Sequence, residues 1–231
     1  MAKLKNKFLG EIQGKIGDVV FKQRGSTNYI SFKPRKYLQS NSTAREIAKN
    51  KFKHAAKFSS AVNSIPELKY FWMNSNKNGA SAYQKINKSA LKTFSEGHSV
   101  NWLKMTPENG FGVIVSTYSL NKEQYDIRLE PLTERSGINT DIETNIKLIT
   151  VFNPYDSSAN LSEYEYFSNC SSNQIIDLNT PVEISITLST AQTNLISMYS
   201  KCRVYNTLIT LNNENVLINY ANTFSSDLMI K

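Results

Sequence analysis

The chain has 231 residues, with 27 Lys and Arg against 19 Asp and Glu, and a formal net charge of +8. That length can bury a substantial core and accommodates one or two domains. No apolar run approaches the ~18 residues that span a bilayer; the basic start Met1–Phe8 lacks the hydrophobic stretch of a secretory signal, and Cys170 and Cys202 allow at most one bridge, which excludes a disulfide framework.

Residues 1–13 read as a basic arm or short strand with little to pack beyond Leu4, Phe8, Leu9 and Ile12. A β-hairpin is predicted next. Val19–Arg24 and Tyr29–Lys33 alternate at period two, with turn residues Gly25-Ser26-Thr27-Asn28 between them. Alternation places Val19, Phe21, Ile30 and Phe32 on the face that can bury, with Val19 and Phe21 opposite Ile30 and Phe32. The other face carries Val20, Lys22, Arg24, Tyr29, Ser31 and Lys33. Gly14 and Gly17 precede the first strand, where tight turning needs glycine, and Pro34 stops the second because it cannot donate to a ladder. Gly10, Gly14 and Gly17 lack the spacing and context of a dinucleotide-binding loop.

A loop, Lys36–Ser42, leads to Thr43-Ala44-Arg45-Glu46, a capping-box sequence that predicts a helix from Ala44 to about Asn63. Ile47, Ala48, Phe52, Ala55, Phe58, Val62 and Ile65 recur at three and four residues, the inward stripe. Arg45, Lys49, Lys53 and Lys57 recur every fourth residue on another face. Such like charges repel by a few tenths of a kcal/mol per pair, so the stripe either stands in water or meets an anionic partner. Ser64-Ile65-Pro66-Glu67 reads as a second capping box, with Pro in the first turn of a short helix to about Met73. Phe71 and Trp72 on it are assigned to the core. Ala80–Phe94 reads as a third helix, with Tyr83, Ile86, Ala90, Leu91 and Phe94 inward and Lys77, Lys85, Lys88 and Lys92 outward.

The run Gly14-Lys15-Ile16-Gly17-Asp18-Val19-Val20-Phe21-Lys22-Gln23-Arg24-Gly25, followed by an aromatic strand and Pro34, resembles the start of a family of uncharacterised proteins from bacteria and their tailed phages. Thr43, Trp72 and Gly79-Ala80-Ser81-Ala82-Tyr83 match that family's later elements. The resemblance covers about the first hundred residues. It implies a C-terminal β-sandwich and a phage or prophage-like structural setting, and carries no activity with it.

Composition shifts from Lys-rich to Ser/Thr/Asn-rich between Glu96 and Gly112, which places a boundary near Met105. Residues 1–105 hold 20 basic and 5 acidic residues, a net +15; residues 106–231 hold 7 and 14, a net −7. Such asymmetry suggests two modules with different neighbours. About eight short strands are predicted after Phe111: Phe111–Thr117, Tyr125–Leu129, Ile146–Phe152, Tyr164–Phe167, Val182–Leu188, Leu195–Tyr205, Leu208–Leu211 and Val216–Tyr220. The expected fold is therefore α+β: a basic hairpin and three-helix module over 1–105, then an all-β sandwich of immunoglobulin or fibronectin type over 106–231.

No catalytic constellation is legible. His54 and His98 sit in no nucleophile elbow or catalytic loop. Acid pairs such as Glu163 with Glu165, or Asp141 with Glu143, are assigned to wet strand faces. The two Cys and two His have no metal-ligand spacing, and neither a metal nor another cofactor is expected. The sequence thus points away from an enzyme. It points to a structural, oligomeric assembly protein, a phage-type virion component of head, neck or tail, docking on an acidic neighbour or on DNA through Lys22, Arg24, Lys33, Arg35, Arg45, Lys49, Lys53 and Lys57. The alternative is sequence-independent nucleic-acid binding by the same surface. A surface adhesin has only the sandwich in its favour.

Overall fold

The computed structural model describes residues 2–3, 14–24, 27–33, 42–75, 79–133, 136–156 and 164–230. The arm from residue 4 to 13, Gly25 and Ser26 of the expected turn, Pro34, Arg35, most of the following loop, Lys77 and Glu163 lie outside them. The chain divides into two compact units, Met1–Arg45 and Glu46–Lys231.

The first unit is an antiparallel sheet of β1 (Ala2–Lys3), β2 (Gly14–Ile16), β3 (Val19–Arg24) and β4 (Thr27–Phe32), ordered β1-β4-β3-β2. Val19 faces Phe32 and Phe21 faces Ile30 across the central ladder, the register that the alternation predicts. Gly17 takes φ +58° in the turn between β2 and β3, a left-handed conformation that favours glycine. Lys33 N–H then donates to Asp18 O at 2.6 Å. The apolar face is only partly buried: Ile16 and Phe32 are 70% and 81% exposed, since strands this short have little side chain to cover one another.

In the second unit three helices, α1 (Thr43–Asn63), α2 (Pro66–Asn74) and α3 (Ala82–Ser95), precede a short 3-10 turn, Val100–Trp102. The strands follow. β5 (Val115–Leu120), β6 (Gln124–Leu129) and β10 (Val182–Thr187) form a three-stranded sheet ordered β10-β6-β5. The larger sheet centres on two eleven-residue strands, β7 (Asn145–Tyr155) and β11 (Lys201–Leu211), paired antiparallel along their whole length. β8 (Phe167–Cys170) and β9 (Gln174–Ile175) occupy the free edge of β7; β12 (Leu217–Tyr220) and β13 (Phe224–Met229) occupy that of β11.

Alternation along β7 and β11 feeds two separate cores. Leu148, Phe152, Val204 and Leu208 pack against Tyr125, Ile127, Leu129 and Ile184 of the small sheet. Ile149, Val151, Tyr205 and Ile209 pack against Phe58, Val62, Leu68, Trp72 and Ile86 of the helices. Burial on both faces explains why β7 and β11 read as nearly continuous apolar runs. The architecture is mixed α+β, with the helices forming a layer on the outer face of the large sheet.

This corrects the boundary expected near Met105. Leu103, Met105 and Thr106 are each at most 1% exposed. Thr223 Oγ1 accepts from Met105 N–H at 2.7 Å and from Thr106 N–H at 3.2 Å, and Trp72 Nε1 donates to Met105 O at 2.7 Å. A stretch with that many buried partners is core, whatever its composition.

Local corrections have local causes. Ser42 caps α1, its Oγ accepting from Arg45 N–H at 3.3 Å, so the cap lies one residue before Thr43. Ser64 does not cap α2; its hydroxyl donates to Ala61 O, and Ile65, held extended before Pro66, enters the helix without a side-chain cap. The expected strand Leu195–Tyr205 begins instead as a helix, α4 (Thr190–Ile196), set by a capping box of Ser189 and Gln192. β11 then runs without a break through the two strands expected there.

Candidate interaction surfaces

The cationic face of the N-terminal sheet is built by its register. Lys22 lies opposite Tyr29, and Tyr29 opposite Lys3; in the next row Lys15 lies opposite Val20, and Val20 opposite Ser31. Lys15, Lys22 and Lys33 are exposed, and Tyr29 is half-buried. Arg24 pairs with Thr27 at the ladder end. Arg35 lies outside the described residues. Sequence reasoning placed Lys22, Tyr29 and Lys33 together; it missed Lys15, because the outer pairing of β2 is not written in the hairpin's own pattern.

Arg45, Lys49, Lys53 and Lys57 all lie exposed on α1. Lys49 Nζ is 3.9 Å from Glu46, and Lys53 Nζ stands 5.1 Å from the Tyr164 ring centre, a cation–π distance. Residues 43–53 are exposed at every position, including Ile47 at 52% and Phe52 at 55%. The inward assignment of Ile47, Ala48 and Phe52 is thus overturned: the periodic stripe outlasts the surface it packs on. Burial begins at His54 and continues through Ala55, Phe58 and Val62.

The charge partition follows the observed units. Met1–Arg45 holds 10 basic and 2 acidic residues, a net +8, whereas Glu46–Lys231 holds 17 of each and is neutral. Within the second unit, the helical layer's +7 over residues 46–105 is matched by −7 over 106–231. The expected cationic head on an anionic body is therefore redrawn. The net positive charge belongs to the 45-residue unit, and within the second unit the basic helical stretch is balanced by the acidic residues of the strand-rich stretch that follows it.

Several buried polar groups have partners inside the fold. His54 Nδ1 lies 3.0 Å from Tyr166 Oη, with the Tyr164 ring edge-on at 4.6 Å. Burial, and then the charge of Arg203, lower its pKa to about 4, so the ring is neutral at pH 7. The Glu143 carboxylate is buried in the turn before β7, not on a wet strand face; it accepts from Asn139 N–H at 3.0 Å and from the Thr210 hydroxyl. Cys170 and Cys202 are free, and burial pushes the Cys202 thiol up to about 12. Among the described residues no cluster of three His, Cys, Asp or Glu side chains could hold a metal, and no helix is long and apolar enough to cross a membrane.

A cleft of about 730 Å³ lies between α2, α3 and the loop from Lys104 to Asn109, with Lys85, Lys88, Lys92 and Lys104 around it and Trp72 and Tyr220 in its lining. Helical periodicity marks Lys85, Lys88 and Lys92 as outward lysines only. Their convergence with Lys104 needs the loop's tertiary position.

No known protein family and no curated protein matches the sequence. Solved structures similar to part of the chain include β-glucosidase from Kluyveromyces marxianus. In its selenomethionine-labelled form the match has 10% identity over 54% of this chain and 15% of that one, with a TM-score of 0.24. In its complex with glucose the figures are 10%, 52%, 15% and 0.23. The chain thus spans about 15% of the length of these structures, and likeness at that level carries no functional argument.

Proposed function

We propose that the chain is a structural, assembly-forming protein of a phage-type virion, whose N-terminal unit docks on an acidic neighbour. The observation that carries this reading is the charge partition, a net +8 on the 45-residue N-terminal unit against a neutral larger unit. Exposed cations on a small sheet favour an acidic surface by long-range attraction. The resemblance of Gly14–Gly25 to bacterial and tailed-phage proteins supplies the setting. A finer reading of the body as fibronectin-like is supported by strand order. Taking β5, β6, β7, β8, β10, β11 and β12 as A, B, C, C′, E, F and G gives sheets A-B-E and G-F-C-C′. Sandwiches of that kind serve many roles, so the order informs the fold alone. Mass spectrometry of purified particles tests the reading: multiple copies per particle are expected, and absence from every particle ends it.

A second reading, sequence-independent nucleic-acid binding, is favoured by one detail: Tyr29 lies opposite the exposed Lys22 in the β3–β4 ladder, an aromatic ring beside a cation. If about six cations met phosphates, log K would fall against log salt with a slope near −5. A flat salt response rules this reading out.

A further inference from the structure

The cleft between α2, α3 and the loop from Lys104 to Asn109 belongs to neither surface above. On α3, Lys85, Lys88 and Lys92 fall at i, i+3 and i+7, one helix face about 10 Å long. Lys104 comes from the opposite wall. Lys85 Nζ donates to Met73 O at 2.8 Å. Among the described residues Lys92 and Lys104 pair with exposed carboxylates, Glu96 at 3.5 Å and Glu108 at 3.1 Å. Exposed pairs of that kind are worth little and exchange readily. Lys88 is exposed and has no ion-pair partner among the described residues.

The far wall is fixed before any ligand arrives. Gly110 N–H donates to Asn222 Oδ1 at 3.0 Å, and Asn222 Nδ2 donates back to Gly110 O at 2.7 Å. A Cβ at Gly110 would stand 2.6 Å from Asn222 N, so only glycine allows this approach. Asn109 beside it takes φ +78°, and Tyr220 Oη donates to Glu108 O at 3.3 Å. The walls act on one another electrically: Lys104, and after it Lys92, hold the Glu108 carboxyl below its ordinary pKa.

From this geometry we infer that the cleft is a docking site for an extended acidic peptide segment of a partner protein. An extended chain presents same-side carboxylates about 6.6 Å apart, a spacing that flexible lysines along a 10 Å face can meet. Single-stranded nucleic acid fits less well, because its binding leans on exposed stacking rings. Here Trp72 is 7% exposed with its Nε1 committed to Met105 O, and the Tyr220 hydroxyl is engaged. The inference stands on the cleft alone and does not depend on a virion role.

The test titrates the full chain at low salt with a fluorescein-labelled peptide of six Glu alternating with six Ser, beside a labelled dodecathymidylate. Zero-length carbodiimide cross-linking of the peptide, mapped by mass spectrometry, locates the site. Saturable peptide binding is expected, weakened about tenfold by Lys88→Glu with Lys92→Glu and less by Lys88→Gln. Cross-links should fall on Lys88, Lys92 or Lys104, and Lys22→Glu with Lys33→Glu should leave them unchanged. Because Lys88 and Lys92 are exposed, unchanged urea midpoints should accompany the loss. No saturable binding, no effect of the α3 variants, or cross-links confined to Lys22, Lys33, Lys49 and Lys57 overturns the inference. So does dodecathymidylate binding more tightly than the peptide through the same α3 lysines.

Discussion

Lys147 Nζ on β7 lies 2.6 Å from Glu67 Oε1 in the first turn of α2, with both side chains about one-fifth exposed. The pair ties the helical layer to the large sheet across the boundary that composition suggests. Burial alone would raise the Glu67 pKa; the hydrogen bond and charge of Lys147, with the residue's own backbone amide, outweigh it and lower the net value. Glu67 therefore stabilises the fold above its unfolded pKa, and that contribution is lost as pH falls through its folded one. Glu67→Gln should cost about 2 kcal/mol and Lys147→Met a similar amount, because each strands a half-buried charge. The double variant should recover part of the loss. Urea unfolding followed by the emission of Trp72 and Trp102 and by far-ultraviolet dichroism should give coincident transitions, since helices and sheet share one core. A separate early helical transition would show that the layers are independent.

His54 makes the second prediction. Its folded pKa of about 4 lies below the ordinary 6.5, so the unfolded chain takes up the proton first as pH falls. Its contribution is complete above pH ~6.5, declines down to about 4, and is level below that. Allowing for partial solvent access, the decline is roughly 2 kcal/mol. Urea midpoints from pH 7 to 4 should fall more steeply for the wild type than for His54→Gln. Parallel curves would remove His54 from the account.

The two halves of α1 should respond differently to truncation. Phe52→Ser, in the exposed half, should change stability by less than about 0.5 kcal/mol. Phe58→Ala should cost about 3–5 kcal/mol, because Phe58 is fully buried and its ring lies 5.1 Å from Tyr205. Equal losses at both sites would mean that the first three turns are packed after all.

Trp72→Phe removes the indole hydrogen bond to Met105 O and strands that carbonyl in the core. A loss of about 1–3 kcal/mol is expected from the unpaired carbonyl, read as a lower urea midpoint with the same slope. A neutral result would mean that water replaces the indole.

Cys202 should resist a thiol reagent at pH 8 in the folded state, because burial holds its thiol near pKa 12 and closes access. Both cysteines should label on denaturation without reductant. A single labelled site would point to a modification absent from this structure.

Short-range pattern was enough for the elements that carry their own period. The β3–β4 register follows from alternation at Val19, Phe21, Ile30 and Phe32; α1 ends at Asn63, as expected; β10 alternates as Val182, Ile184 and Ile186 require. The lysines on α1 and on the hairpin were legible for the same reason. Long-range packing decided the rest. Ile47 and Phe58 sit in one helical repeat, but only Phe58 meets the large sheet. Met105 looks like linker by composition and is buried because Thr223 and Trp72, remote in sequence, close on it. Lys104 shares a cleft with the α3 lysines because its neighbours Met105 and Thr106 are anchored to Trp72 and Thr223, remote in sequence. Backbone periodicity is a property of neighbours along the chain, whereas which surface a periodic face finds is set by strands a hundred residues away.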